Sequence, residues 1–139
     1  MVSVKVIIMV KLRLSNEKPS EAQCKATLTS IADALYVIGG KWKLRIIVAM
    51  REGNKRFNEL QRTIEGISAK VLSAELKDLE LNGFITRKVY TGTPVVVEYE
   101  LTDYCETLND VLSALSAWGA MHRETVKKSM RKKKTVGSM

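Results

Sequence analysis

The chain has 139 residues, 45% of them apolar, with two prolines, two cysteines and a formal net charge of +8 from 23 Lys+Arg against 15 Asp+Glu. That is enough for one domain with one ordinary core, and cysteines at 24 and 105 make neither a dense disulfide framework nor a zinc-ligand cluster. The longest N-terminal apolar run, Val6 to Val10, is far short of the roughly 18 residues of a membrane span and precedes no small-residue cleavage signal, so the expectation is a cytoplasmic protein in a reducing setting with no membrane partner.

Residues 1–23 form an N-terminal arm in which Val2, Val4, Val6, Ile8, Val10, Leu12 and Leu14 alternate as in a strand. Three readings stand side by side. The strand pairs with a second subunit or with a hairpin further on, it is a frayed arm, or it precedes a start at Met9. From Thr27 to Ile38 the apolar residues Leu28, Ile31, Leu35 and Ile38 recur at helical spacing, and Gly39-Gly40 ends this first helix. A second helix, Lys41 to Glu52, carries Trp42, Leu44, Ile46, Ile47, Val48 and Met50 on nearly all sides and stops at Gly53, which predicts a helix buried by its neighbours.

A short third helix is predicted over Arg56 to Glu65 with Phe57, Leu60 and Ile64 on one face. After Gly66-Ile67, Ser68 is placed to cap a fourth, which runs to Asn82 with Val71, Leu72, Leu76 and Leu79 inward and Gly83-Phe84 as its glycine stop. Two amphipathic helices joined this closely make a helix-turn-helix. The period then changes: Phe84 to Tyr90 and Val95 to Leu101 read as strands around the turn Thr91-Gly92-Thr93-Pro94. The order helix-turn-helix, then hairpin, is that of a winged helix, a mainly α fold with a small β-hairpin wing.

A last long helix is predicted from a Thr102 cap past Met121, with Tyr104, Leu108, Val111, Leu112, Leu115 and Trp118 in one stripe. A small core cannot bury all of it, so part is expected to be a homodimer interface. The domain is thus drawn as residues 24–126. Charge is uneven: residues 1–40 carry +2, 41–100 carry +3, 101–126 carry −3 and 127–139 carry +6. The segment 127–139 reads as a basic, disordered tail, either a polyanion contact or an ordinary solvated end.

The stretches Ile38-Gly39-Gly40-Lys41-Trp42, Gly53-Asn54-Lys55-Arg56-Phe57-Asn58-Glu59-Leu60, Gly66-Ile67-Ser68-Ala69-Lys70-Val71-Leu72, Leu76-Lys77-Asp78-Leu79-Glu80, Gly83-Phe84-Ile85, Pro94 with Val97-Glu98-Tyr99, and Leu101-Thr102 run in the order seen in the HxlR-type winged helix-turn-helix regulators, whose architecture is MarR-like. Over about residues 24 to 120 the chain resembles that family. The resemblance implies a dimeric, cytoplasmic repressor or activator on pseudo-palindromic double-stranded DNA. The chain departs from the family pattern at Lys25, where a proline is usual, at Val95 and Val96, where a proline and then a basic residue are common in the wing, and at Cys105, where glycine is common.

With the core face of the fourth helix assigned, Ser68, Ala69, Lys70, Ser73, Ala74 and Lys77 are left to face a major groove; the small residues allow close approach, and the hydroxyls and ammonium groups suit phosphates and base edges. An ordinary solvated helix face is the other reading. Arg87 and Lys88, with Thr91 and Thr93 at the tip, are the wing candidates, although strand charges also guard edges against pairing. Arg56, at the start of the third helix, is either a phosphate contact or the partner of Glu59 or Glu80. Trp42 and Trp118 fit core or dimer aromatics better than a ligand cage.

Cys24 matches the position at which redox-sensing members of the family carry a reactive cysteine, before the first helix, and Lys25 and a helix N-terminus would favour its thiolate. An inert cysteine is the alternative. No catalytic arrangement surrounds the single histidine, His122, and no phosphate-binding loop, metal or other cofactor is called for, so an enzyme is not expected. The reading is a DNA-binding regulator controlled by a small-molecule or oxidant effector, or by neither; the alternative is a winged-helix protein–protein interaction module without specific DNA binding.

Overall fold

A computed structural model describes residues 20–137, so the N-terminal strand or arm expected before Ser20 lies outside the described residues. In chain order the elements are α1 (Glu21–Ile38), α2 (Lys43–Arg51), α3 (Phe57–Thr63), α4 (Ala69–Leu81), β1 (Ile85–Tyr90), β2 (Val96–Leu101), a 3-10 helix (Asp103–Leu108) and α5 (Asn109–Val136). The chain divides after Tyr104 into two compact units.

In the first unit α2, α3 and α4 pack on one another, α2 and α3 also meet β2, and α4 also meets β1. The centre is Ile46, Ile47, Leu60, Leu72, Leu76, Leu79 and Ile85, each essentially removed from solvent. Burying side chains of this size contributes about 1.5–3 kcal/mol apiece, which is what holds three short helices and a hairpin together. The second helix is less enclosed than its sequence suggests: Ile46, Ile47, Ala49 and Met50 are buried, while Val48 is 44% exposed.

α1 starts six residues before the predicted Thr27. A capping box explains this: the Gln23 N–H donates to Ser20 Oγ at 3.3 Å and the Ser20 N–H donates to Gln23 Oε1 at 2.9 Å, so two otherwise unsatisfied donors are met reciprocally. None of the residues of α1 is buried, and Leu28, Ile31 and Leu35 stand in solvent. At the far end of the helix-turn-helix, α4 stops as predicted. The Phe84 N–H donates to the Leu79 carbonyl and the Gly83 N–H to the Glu80 carbonyl, both at 3.0 Å, with Gly83 at φ 81°; this is a Schellman stop, and its left-handed residue favours glycine.

β1 and β2 are antiparallel with Ile85 opposite Leu101 and Tyr90 opposite Val96. On the free side of β2 the Tyr99 N–H donates to the Lys55 carbonyl at 2.7 Å, which ties the wing to the segment leading into α3. Thr102 does not cap the last helix. Its hydroxyl donates to the Gly83 carbonyl and its N–H to the Phe84 carbonyl at 3.0 Å, so the chain is fastened there and passes through the 3-10 helix before α5 begins.

In the second unit, α5 runs without interruption through 126, where a domain edge was expected, to Val136. Residues 127–136 are therefore helical where the sequence reading expected disorder. Lys and Arg are good helix formers, neither Pro nor Gly intervenes after Gly119 until Gly137, and cations near a helix C-terminus complement its dipole.

Candidate nucleic-acid interface

Ser68 begins the site. Its Oγ accepts the Val71 N–H at 3.2 Å and thereby fixes the first turn of α4. From there the helix sorts its residues by period: Leu72, Leu76 and Leu79 turn into the core, while Ser68, Ala69, Lys70, Ser73, Ala74 and Lys77 are all exposed. Ala69 to Lys77 covers about 12 Å along the axis at 1.5 Å per residue, comparable with the roughly 12 Å width of the B-DNA major groove. Ala69, Lys70, Ser73, Ala74 and Lys77 thus share one solvent face of α4, and Ser68, the sixth residue singled out from the sequence, stands exposed at its N-cap.

That element is braced from below. Lys43 Nζ lies 2.8 Å from Glu75 Oε2 and 3.6 Å from Asp78 Oδ2, joining the first turn of α2 to the middle of α4. The Glu75 carboxylate beside it is the main reason that the Lys43 ammonium titrates above its ordinary value of 10.5, against the opposing effect of burial. Asn54 closes the loop before α3: its Nδ2 donates to the Ala49 carbonyl at 2.8 Å, and its Oδ1 accepts the Thr63 hydroxyl at 3.1 Å. Sequence reasoning singled out neither Lys43 nor Asn54, because their partners lie on other elements or outside any periodic pattern.

The wing cations are committed differently. Arg87, Thr91 and Thr93 are exposed. Lys88 is also half exposed, but its Nζ lies 2.9 Å from Glu100 Oε2. The ion pair raises the Lys88 pKa above 10.5 and holds the Glu100 carboxyl below 4.5. Arg56 occupies the N-cap position of α3, which starts one residue later than predicted, and pairs with Glu98 at 3.7 Å rather than with Glu59 or Glu80. Glu98 and Glu100 alternate along β2, so both fall on one face of the hairpin. That alternation was the available signal for these cross-strand partners.

Cys24 sits inside the first turn of α1 rather than before it and is exposed; its N–H donates to the Ser20 carbonyl at 2.9 Å. Trp42 is half-buried, with Lys41 Nζ 4.8 Å and Arg45 Cζ 4.9 Å from its ring centre, so cation–π attraction holds two basic side chains beside it.

Of the proposed dimer residues, Leu108 is 8% exposed and so already withdrawn from solvent within the chain. It is removed from the set, because the 3-10 turn in which it lies directs it inward. Tyr104 is exposed and stacks on Phe84 with ring centres 5.3 Å apart. Leu112 is half-buried, whereas Val111, Leu115 and Trp118 remain open on α5, with Trp118 stacked on His122 at 4.9 Å.

No helix among the described residues is long and apolar enough to cross a membrane. The family model of the HxlR-like helix-turn-helix matches residues 37–127. The HTH-type transcriptional regulator YtcD of Bacillus subtilis is 45% identical over 93 residues, which cover 67% of this chain and 74% of YtcD. A solved structure of a MarR-family transcriptional regulator from Enterococcus faecalis V583 is 36% identical, covers 82% of this chain and 99% of its own, and superposes with a TM-score of 0.62. The redox regulator HypR in its reduced form is 34% identical, covers 71% of this chain and 98% of its own, and gives a TM-score of 0.63. With the family model, these relatives and the α3–α4 turn with its two-stranded wing all in agreement, the chain belongs to the HxlR-like helix-turn-helix family of transcriptional regulators.

Proposed function

We propose that the protein is a homodimer that binds a pseudo-palindromic operator, with the two copies of α4 in successive major grooves about one helical turn apart. The observation that carries this reading is the solvent face of α4, where small residues alternate with Lys70 and Lys77 on a capped and braced helix. Arg87, Thr91 and Thr93 supply wing contacts to backbone or minor groove. Lys88 and Arg56 join them by exchanging Glu100 and Glu98 for phosphate. The dimer is supported by apolar helix surface open to solvent: Leu28, Ile31 and Leu35 on α1, and Val111, Leu115 and Trp118 on α5. Large apolar side chains exposed in a row along a helix suit an association surface.

A redox-controlled version has a specific basis, since HypR is a redox regulator and Cys24 is exposed in the first turn of α1. Oxidation of that thiol to a sulfenic acid or an intersubunit disulfide would alter the dimer and the spacing of its reading helices.

The test is binding of the full chain to duplex DNA from immediately upstream of its own gene at two salt concentrations, with unrelated duplex as competitor. The reading expects binding that resists the competitor and weakens steeply with salt. Failure to bind any duplex at low salt would overturn it in favour of a protein–protein module. Repeating the titration after peroxide with wild type and Cys24→Ser tests the redox version, which requires an affinity shift in the wild type alone.

A further inference from the structure

Residues 127–134 hold six of the chain's 23 basic side chains within eight positions, and all are exposed on the helical C-terminal part of α5. Helical periodicity sorts them. Arg123, Lys127, Arg131 and Lys134, at spacings of four, four and three, form one row along the axis, and Lys128 and Lys132 form a second beside it. Lys133 lies on the other side with Val126 and Met130. Glu124, which pairs with Lys127 at 3.6 Å, is the last acidic side chain in the sequence. Beyond it the rows carry only positive charge over about 10 Å, at 1.5 Å per residue.

Packing like charges at i,i+3 and i,i+4 works against the helix, by about 0.2–0.5 kcal/mol per pair. A polyanion laid along the rows would convert that repulsion into attraction. A lipid surface fits less well, because helices that lie in a membrane interface oppose their basic face with large apolar side chains, and the opposite side of 126–136 offers little beyond Val126, Met130 and Val136. The family match ends at residue 127, so Lys128, Arg131, Lys132, Lys133 and Lys134 lie beyond the matched segment.

We propose that the basic helix 127–134 is a second, sequence-independent DNA contact that grips the phosphate backbone of the duplex bound through α4. This rests on the DNA-binding reading above. Because both contacts are on one chain, engagement of either holds the other at high local concentration near the same DNA. The contact therefore raises affinity for every duplex while leaving the preference among sequences to α4 and the wing.

The experiment compares the full chain with a variant carrying Arg131→Gln, Lys132→Gln, Lys133→Gln and Lys134→Gln, changes that keep good helix formers. Binding to an unrelated 30-base-pair duplex and to the upstream duplex is followed across salt concentrations, and circular dichroism checks that helicity is retained. The expected result is at least tenfold weaker binding of both duplexes at low salt, with the slope of log affinity against log salt reduced by about 2–4 for each chain engaged. The ratio of the two affinities stays unchanged. A charge-conserving variant, Lys132→Arg with Lys133→Arg and Lys134→Arg, retains the wild-type slope. Wild-type slopes in the glutamine variant would overturn the proposal, as would loss of binding to anionic phosphatidylserine vesicles with DNA binding unchanged. If upstream-specific binding survives in that case, the DNA-reading function stands and only the second contact falls.

Discussion

Lys43 shows how one side chain outside the proposed interface governs it. Its ammonium, largely shielded from water, faces Glu75 and Asp78 of α4, so replacing it strands a carboxylate on the inner side of that helix. The pair lies between the exposed case, worth under about 1 kcal/mol, and the buried case, where loss of one partner costs about 3–5 kcal/mol. Lys43→Met is accordingly expected to destabilise by about 1–3 kcal/mol in denaturant unfolding. The pKa of Lys43 is raised on folding, so its stabilising contribution is fully present below the unfolded value near 10.5 and is lost as pH rises through the higher folded value. The stability gap between wild type and Lys43→Met should therefore be constant at neutral pH and close in strongly alkaline solution. A gap that widens with pH would show that the ion pair is not its source.

Helix ends were the most legible parts of the sequence where the chemistry is local. Ser68 caps α4 and Gly83 stops it, both as read from residue type alone. At Gly83 the backbone sits at φ 81° and an added Cβ would meet nothing within 4 Å, so the cost of a side chain there is conformational and not steric crowding. Gly83→Ala should lower stability by about 1–2 kcal/mol, and Gly83→Asn, which tolerates the left-handed region, by less; equal losses in thermal unfolding would contradict this. Legibility fails where a signal needs a second element or competes with another local signal. The start of α1 was written in Ser20 and Gln23 but masked by weak apolar periodicity before Thr27. Thr102 has a capping residue's chemistry, yet its hydroxyl is taken by the Gly83 carbonyl 19 residues earlier, a contact that no local pattern encodes. The basic stretch after 126 has the charge of a disordered tail and the propensity of a helix, and composition alone does not decide between them.

Two properties of the whole molecule bear on function. The first is that the core consumes the inner faces of α2, α3, α4 and the hairpin and leaves α1 and much of the α5 stripe uncovered, which is the condition for pairing with a second copy. The candidate reading face was legible because a solvent face is the complement of a periodic core face. The wing was less so, since whether Lys88 and Arg56 are available for phosphate depends on Glu100 and Glu98 across the hairpin. The second property is the distribution of charge, nearly neutral over the body and concentrated after residue 126; net charge therefore describes the C-terminal segment, and the proposal assigns the discrimination among DNA sequences chiefly to α4. That claim is tested most directly by measuring the affinity of the Lys70→Ala, Lys77→Ala double variant for the upstream duplex and for unrelated DNA across salt concentrations. Neither side chain is buried, so unfolding should be unchanged within about 0.5 kcal/mol. Discrimination between the two duplexes should collapse and the salt slope should fall by about 2 per chain. Wild-type discrimination in this correctly folded variant would contradict the assignment of α4 as the reading helix.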